Sequence, residues 1–340
     1  MSTETFRLEL DQITKVIIQE PLDYLELNRG VDDLLALFEK ASGFNTQTAA
    51  QDSNIELEQG VAIGAKWAAL CVKDMMRTRK FLRGINKAIS DRLKSYPDEP
   101  VRVLYTGTGP FATLLLPLTT QYSPDELQIF GIEVNQETFK HVQKVIQSFG
   151  SEAYFYKMEC CDATTVHLSL EQPIHILVTE CLQRALEKEP QVAILANLLP
   201  QLNSDVVLIP EAVDLHVGLL KSTIFNGMNK AKAEDGIVVS KSVFNLTKKE
   251  ILNFINSRNL DMEEYSTKHV SFSKADIEAS NMLAILTKIT TYDEEMLDIN
   301  ESGLTVLCLR NDINAKMLNE GLRIFYEMSN SPRLRIEVQS

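Results

Sequence analysis

The sequence lacks a long apolar run: nothing in its 340 residues approaches the ~20 apolar residues that a membrane span needs. Paired-cysteine motifs are missing too. Cys71, Cys160, Cys161, Cys181 and Cys308 are odd in number, none stands in a CxxC, and the adjacent pair lacks zinc-site spacing. The histidines form no HExxH. These gaps argue against a disulfide framework and a structural zinc site, and no metal is expected. Basic charge is short, with 34 Lys and Arg against 47 Asp and Glu and a net charge of -13. Such a chain repels nucleic-acid backbones and would attract a cationic ligand. The opening residues, MSTETFRLELDQ, have no basic-then-apolar layout of a secretion signal. With cysteines read as reduced, the expected location is the cytoplasm. Tryptophan occurs once, at Trp67, and no repeat or low-complexity tract is visible.

What is present divides into three parts. Residues 1–58 form an N-terminal helical extension, with Leu8, Leu10, Ile13, Ile17, Leu34, Leu35 and Phe38 on helical stripes, then a polar stretch over 43–58. Residues 59–94 read as a long amphipathic helix or helix pair, with Trp67, Leu70, Met75, Phe81, Leu82 and Ile85 on its apolar face and Tyr96-Pro97 ending it. From 101 the pattern changes to short apolar runs: VRVLYT, LQIFGIE, AYFYK, IHILVT and DVVLIP. Helical segments are expected between the first three and at about 190–199. That alternation predicts an α/β fold with a Rossmann-like parallel sheet, over 59–210. Beyond Pro210, VDLHVGLL, GIVVSKSVF, NMLAILTKITTY, LTVLCLR and LRIFYEM read mostly as strands, with a helix around 247–257. Residues 211–340 are therefore expected to be a β-rich, barrel-like domain for substrate or dimer contacts.

The first strand runs into Thr106-Gly107-Thr108-Gly109-Pro110. Glycines at this turn let a backbone approach a ligand. With Ala112 the loop reads as the G-x-G-x-x-A of a dinucleotide site; as a shortened G-x-G it suits S-adenosylmethionine (SAM). Glu133 ends the second strand and serves a ribose in either case. Asp162, after the third, either faces an adenine amino group or caps the N-terminus of a helix. Glu180 follows the fourth strand, where ligands of open α/β sheets collect. Glu189 stands nine residues later, with Glu187 as a rival second carboxylate.

Ahead of the first strand the chain reads Asp74-Met75-Met76-Arg77-Thr78, then Phe81. This D-x-x-R-T-x-x-aromatic helix, the glycine loop and the two glutamates of TECLQRALEKEP together resemble the protein arginine methyltransferase family over roughly residues 65–220. The resemblance implies that Arg77 holds the SAM carboxylate, a match of guanidinium fork to carboxylate. It implies that Thr106, Gly107 and Gly109 line the cofactor, and that Glu180 and Glu189 grip a cationic nitrogen. The implied activity is N-methylation of a guanidino or amino group on a small molecule, peptide or protein arginine, with a homodimer consistent with the family.

The chain departs from the family at several places. Tyr105 replaces the acid that ends the first strand, Phe111 replaces the third glycine, and Pro117 falls within the following helix. The family's Thr-His-Trp loop is absent, and His269 is the candidate substitute. A nicotinamide-dependent oxidoreductase is the first alternative, but it leaves Arg77 and the two-glutamate loop without a role and finds no Tyr-x-x-x-Lys set. A non-catalytic methyltransferase-like partner protein is the second.

Overall fold

In a computed structural model the chain is described over residues 1–48, 53–221, 236–257, 264–280 and 282–339. Part of the polar stretch over 43–58, and the first residue of the strand expected from Asn281, lie outside these residues. The fold is α/β, with a parallel Rossmann-like sheet followed by antiparallel sheets, as the apolar runs predict.

Two helices open the chain: α1 (Thr3–Ile18), capped by Ser2, and α2 (Tyr24–Ser42), capped by Asp23 and ended by left-handed Gly43. A hairpin of β1 (Ile55–Leu57) and β2 (Gly60–Ala62) follows, then α3 (Ala65–Leu70) and α4 (Met75–Ser95). The expected helix over 59–94 is thus a hairpin strand and two helices. The break falls at Asp74, whose carboxylate caps α4 by accepting from the Arg77 N–H at 3.1 Å.

The parallel sheet contains β3 (Val101–Thr106), β4 (Leu127–Glu133), β5 (Lys157–Cys160), β6 (Ile176–Thr179) and β7 (Val207–Ile209), in the order β5-β4-β3-β6-β7. Central β3 is buried at every residue, as a strand covered on both faces must be. Helices α5 (Gln136–Ser148) and α6 (Gln191–Leu198) follow β4 and the β6 loop. The third strand forms at 157–160 rather than over AYFYK, where Tyr154 and Phe155 are buried just ahead of it, outside any strand.

No α-helix joins β3 to β4. The chain makes turns and a 3-10 segment, Pro117–Thr120, because proline there supplies no helical N–H. The N-terminal helices fill that place. Phe111, where the family has glycine, packs on Phe38 of α2 at 5.2 Å between ring centroids and on Phe44 at 6.3 Å. Phe149 continues the cluster to Phe38 and to Phe6 of α1. Phe38, Phe111 and Phe149, each fully buried, contribute about 1.5–3 kcal/mol apiece, so α1 and α2 belong to the core of the parallel sheet.

The antiparallel part begins with β8 (Ala212–Leu220) and β9 (Ile237–Thr247), then α7 (Lys248–Ser257), β10 (Glu264–Val270) and α8 (Lys274–Ala279). It continues through β11 (Met282–Tyr292), β12 (Glu295–Leu297), β13 (Cys308–Leu309), α9 (Ala315–Glu320), β14 (Leu322–Glu327) and β15 (Arg333–Val338). One sheet runs β12-β11-β8-β9 with β13 on β11; the other runs β10-β14-β15. LTVLCLR, expected as a strand, is a 3-10 turn at Gly303–Thr305 followed by the two residues of β13. Helix α4 ties the two parts together. Its Gly84 lies so close to Thr291 that a Cβ would come within 2.6 Å of the hydroxyl. Lys80 and Arg83 reach Glu295 at 2.9 and 2.6 Å. Among the described residues, no helix is long and apolar enough to cross a membrane.

Candidate functional site

Strand register assembles the site. Thr106, the last residue of β3, pairs with Ile132 of β4 on one side and Thr179 of β6 on the other. The next residue on each strand is therefore Gly107, Glu133 or Glu180, three neighbours on the carboxyl edge of the sheet. This edge is where the strand order reverses, and a crevice opens there. A cavity of about 470 Å³ occupies it, lined among others by Arg77, Gly107, Gly109, Glu133, Glu180 and Glu189. Its size is that of a small-molecule site.

The glycine loop is built for close approach. Gly107 and Gly109 have φ of 68° and 60°, in the left-handed region. A Cβ on Gly107 would lie 2.3 Å from the Cys181 sulfur. Gly107→Ala should therefore lower stability by roughly 1–2 kcal/mol from φ alone, and further from the clash. Cys181→Ala should recover the clash portion. Denaturation midpoints of the single and double variants check this, and an unchanged midpoint in Gly107→Ala would show that the loop yields freely.

Glu133 is buried at the end of β4. One oxygen accepts from the Gly109 N–H and the other from the Asn135 N–H, each at 2.9 Å. Burial pushes its carboxyl up to about 7, against the pull of those donors. Glu133 thus also pins the glycine loop. Tyr105, standing where the family has an acid, is buried and donates its hydroxyl to the Thr108 carbonyl at 3.4 Å. Asp162 reaches the cavity wall. It also holds a turn, one oxygen accepting from the Thr164 N–H and hydroxyl, both at 2.8 Å.

Arg77, in the first turn of α4, forms an ion pair with Glu180, and both side chains are buried, 8% and 7% exposed. A second guanidinium nitrogen donates to the Cys71 carbonyl at 3.0 Å, while the buried Nε has no partner. Glu180 is flanked by Gln191, whose amide donates to the Thr179 carbonyl and accepts from the Cys181 N–H, both at 3.0 Å. Glu189 lines the same cavity, buried, with a hydrogen bond from Gln183. Desolvation raises its carboxyl to about 7, although Arg77 pulls the other way. Glu187 does not line the cavity; its carboxylate takes the Cys308 thiol at 3.6 Å.

Several residues lie elsewhere than expected. Thr106 is fully buried behind the wall, its hydroxyl without a partner. His269 sits exposed on β10, bonded to Gln339 at 2.7 Å and off the cavity. Trp67, read as an apolar-face residue, is 55% exposed and lines the cavity. Sequence reasoning missed Gln191, which carries no signature beyond following a proline. It also missed the second contact of Asp74, whose other oxygen takes the Ser302 hydroxyl at 2.6 Å and the Gly303 N–H at 2.7 Å.

The loop between the two glutamates is unusual in backbone. Ala185, Leu186 and Lys188 have φ of 58°, 54° and 67°. Left-handed backbone costs a non-glycine residue roughly 1–2 kcal/mol, so surrounding contacts must hold it.

No family model and no curated protein matches the chain. Solved structures do match. A crystal structure of PRMT6 with SAH aligns at TM-score 0.51 and 10% identity, over 79% of this chain and 98% of that one. Another PRMT6 crystal structure aligns at 0.50 and 10%, over 79% and 97%. The Trypanosoma brucei PRMT1 enzyme–prozyme heterotetrameric complex with AdoHcy aligns at 0.49 and 12%, over 79% and 92%. On the PRMT6 likeness, the chain has the fold of the protein arginine methyltransferases.

Proposed function

We propose that the protein is a cytoplasmic SAM-dependent N-methyltransferase that acts on a cationic guanidino or amino acceptor. The observation carrying this is a single cavity that gathers the glycine loop, the buried Arg77–Glu180 pair and the buried Glu189. The residues fit the cofactor. Arg77 keeps a buried, unpartnered Nε for a carboxylate, and at Gly109 a Cβ would meet only Ala68, at 3.8 Å. Arg77 would hold the amino-acid carboxylate, Gly107 and Gly109 would flank the chain, and Glu133 and Asp162 would take ribose and adenine. SAM, when bound, supplies an electrophilic methyl group.

The two glutamates would orient the acceptor. Glu180 keeps one oxygen beyond its Arg77 contact, and Glu189 has no ion-pair partner among the described residues. Together they would hold a cation and aim its nitrogen, so the rate would come from placement and electrostatics. The acceptor class covers a free small molecule, a peptide and a protein arginine; no nucleic acid is expected as partner, and a homodimer is proposed from the family resemblance alone.

Methyl transfer from isotope-labelled SAM into a size-fractionated lysate of the source organism tests the reading. Label on arginine in the protein or peptide fraction supports an arginyl acceptor, and label in small molecules supports a free one. SAM binding without label in any fraction would contradict catalysis.

Glu189 also sets a pH dependence. Its folded value, about 7, lies above the ordinary carboxylate range. The folded chain therefore holds this proton more tightly than the unfolded one. The resulting stability is full at acid pH and is lost as pH rises through about 7. Lowered values at His141, His175 and His216 act in the opposite sense. The comparison with Glu189→Gln isolates the carboxylate: its stability should fall less on going from mildly acid to mildly alkaline buffer. Parallel curves would remove Glu189 from the pH response.

A further inference from the structure

Residues 185–188 are held by hydrogen bonds from four distant parts of the chain. The Ala185 N–H donates to the Thr287 hydroxyl of β11 at 3.1 Å. The Tyr326 hydroxyl of β14 donates to the Leu186 carbonyl at 2.8 Å. The Lys188 N–H donates to the Pro332 carbonyl at 2.8 Å, and its carbonyl accepts from the Val61 N–H of β2 at 2.9 Å. These contacts fall on the segment whose backbone is left-handed at three non-glycine positions.

The two side-chain contacts are rigidly placed. Thr287 is fully buried in the middle of β11. Tyr326 is fully buried too, its ring stacked on Phe244 at 5.0 Å. Thr287 and Tyr326 belong to different sheets, so the loop is gripped from both. Left-handed residues with side chains relax to ordinary backbone unless something opposes it. Relaxation at Ala185 or Leu186 would redirect the chain that leads to Glu189.

We infer that Tyr326 and Thr287 are positioning residues for the two-carboxylate loop. Their hydroxyls hold Ala185 and Leu186 left-handed and thereby set where Glu189 stands relative to Glu180. The consequence for methyl transfer rests on the function proposed above; the consequence for loop geometry does not.

The experiment compares amide hydrogen exchange over residues 181–190 in three full-length chains, each also titrated with S-adenosylhomocysteine. They are the unmutated chain, the Tyr326→Phe/Thr287→Val double variant, and that variant with Ala185→Gly added. Phe keeps the stacked ring and Val keeps the volume, so only hydroxyls are removed. In the double variant, exchange in this loop should quicken about tenfold while the parallel strands keep their protection. Its S-adenosylhomocysteine affinity should stay within about twofold of the unmutated chain. Glycine adopts the left-handed conformation without a steric penalty, so Ala185→Gly should restore most of the lost protection. Unchanged exchange on removing both hydroxyls overturns the inference. So does faster exchange spread over the whole chain, or the absence of any rescue by glycine. The titration of the unmutated chain tests the cofactor reading separately, because the exchange comparison needs no ligand.

Discussion

Arg77→Ala is expected to weaken SAM binding by about 1.5–3 kcal/mol, roughly 10- to 150-fold. The same substitution should lower the stability of the ligand-free chain by about 3–5 kcal/mol, because it leaves a buried carboxylate unpaired. Both effects follow from one guanidinium. Arg77 bonds Glu180 through one nitrogen and the Cys71 carbonyl through another, and keeps a buried Nε without a partner. The unpartnered Nε is where a cofactor carboxylate would be taken, and the Glu180 contact is what the ligand-free fold depends on. The two losses separate in the double variant Arg77→Ala/Glu180→Gln. There the unpaired charge is gone, so stability should recover much of the deficit while SAM affinity stays low. Calorimetric titration and chemical denaturation measure the two quantities. Unchanged SAM affinity in Arg77→Ala would remove this arginine from the cofactor site, and unchanged stability would deny the buried pair.

Glu180→Gln is expected to reduce methyl transfer by roughly 10²-fold or more, the scale on which misplacing a reacting group acts. Its SAM affinity should stay within a factor of about three, a difference under 1 kcal/mol. Glutamine keeps the shape and an acceptor oxygen for Arg77 but loses the charge that would hold a cation. A fall in kcat at saturating SAM would place the loss after cofactor binding. Retained turnover would sink the role given to Glu180. The same variant distinguishes a non-catalytic partner protein, in which this charge would not matter to function.

The parts of the fold legible in sequence are those whose physics is local. The buried run VRVLYT, the glycine turn after it and the acid ending LQIFGIE predict β3, its loop and Glu133, because a covered parallel strand must be continuously apolar. The parts that were not legible depend on distant partners. Phe111 departs from a glycine pattern, and only Phe38 and Phe44, brought in by the N-terminal segment, explain it. Trp67 satisfies helical spacing yet faces the cavity, since periodicity describes a face and not what covers it. The left-handed run at Ala185, Leu186 and Lys188 has none of the glycine or asparagine that would signal it. Its cause lies in Thr287, Tyr326 and Pro332, far along the chain. Choosing between Glu187 and Glu189 required the same loop geometry, which turns Glu189 into the cavity and Glu187 toward Cys308.

One titration bears most directly on whether this cavity serves a methyl donor. S-adenosylhomocysteine is added to the unmutated full-length chain in a calorimeter, and the complex is then challenged with SAM and with a nicotinamide dinucleotide. Saturable one-site binding, displaced by SAM and untouched by the dinucleotide, is the predicted result. No binding of S-adenosylhomocysteine, or its displacement by the dinucleotide, would contradict the methyltransferase reading and give the glycine loop to another cofactor.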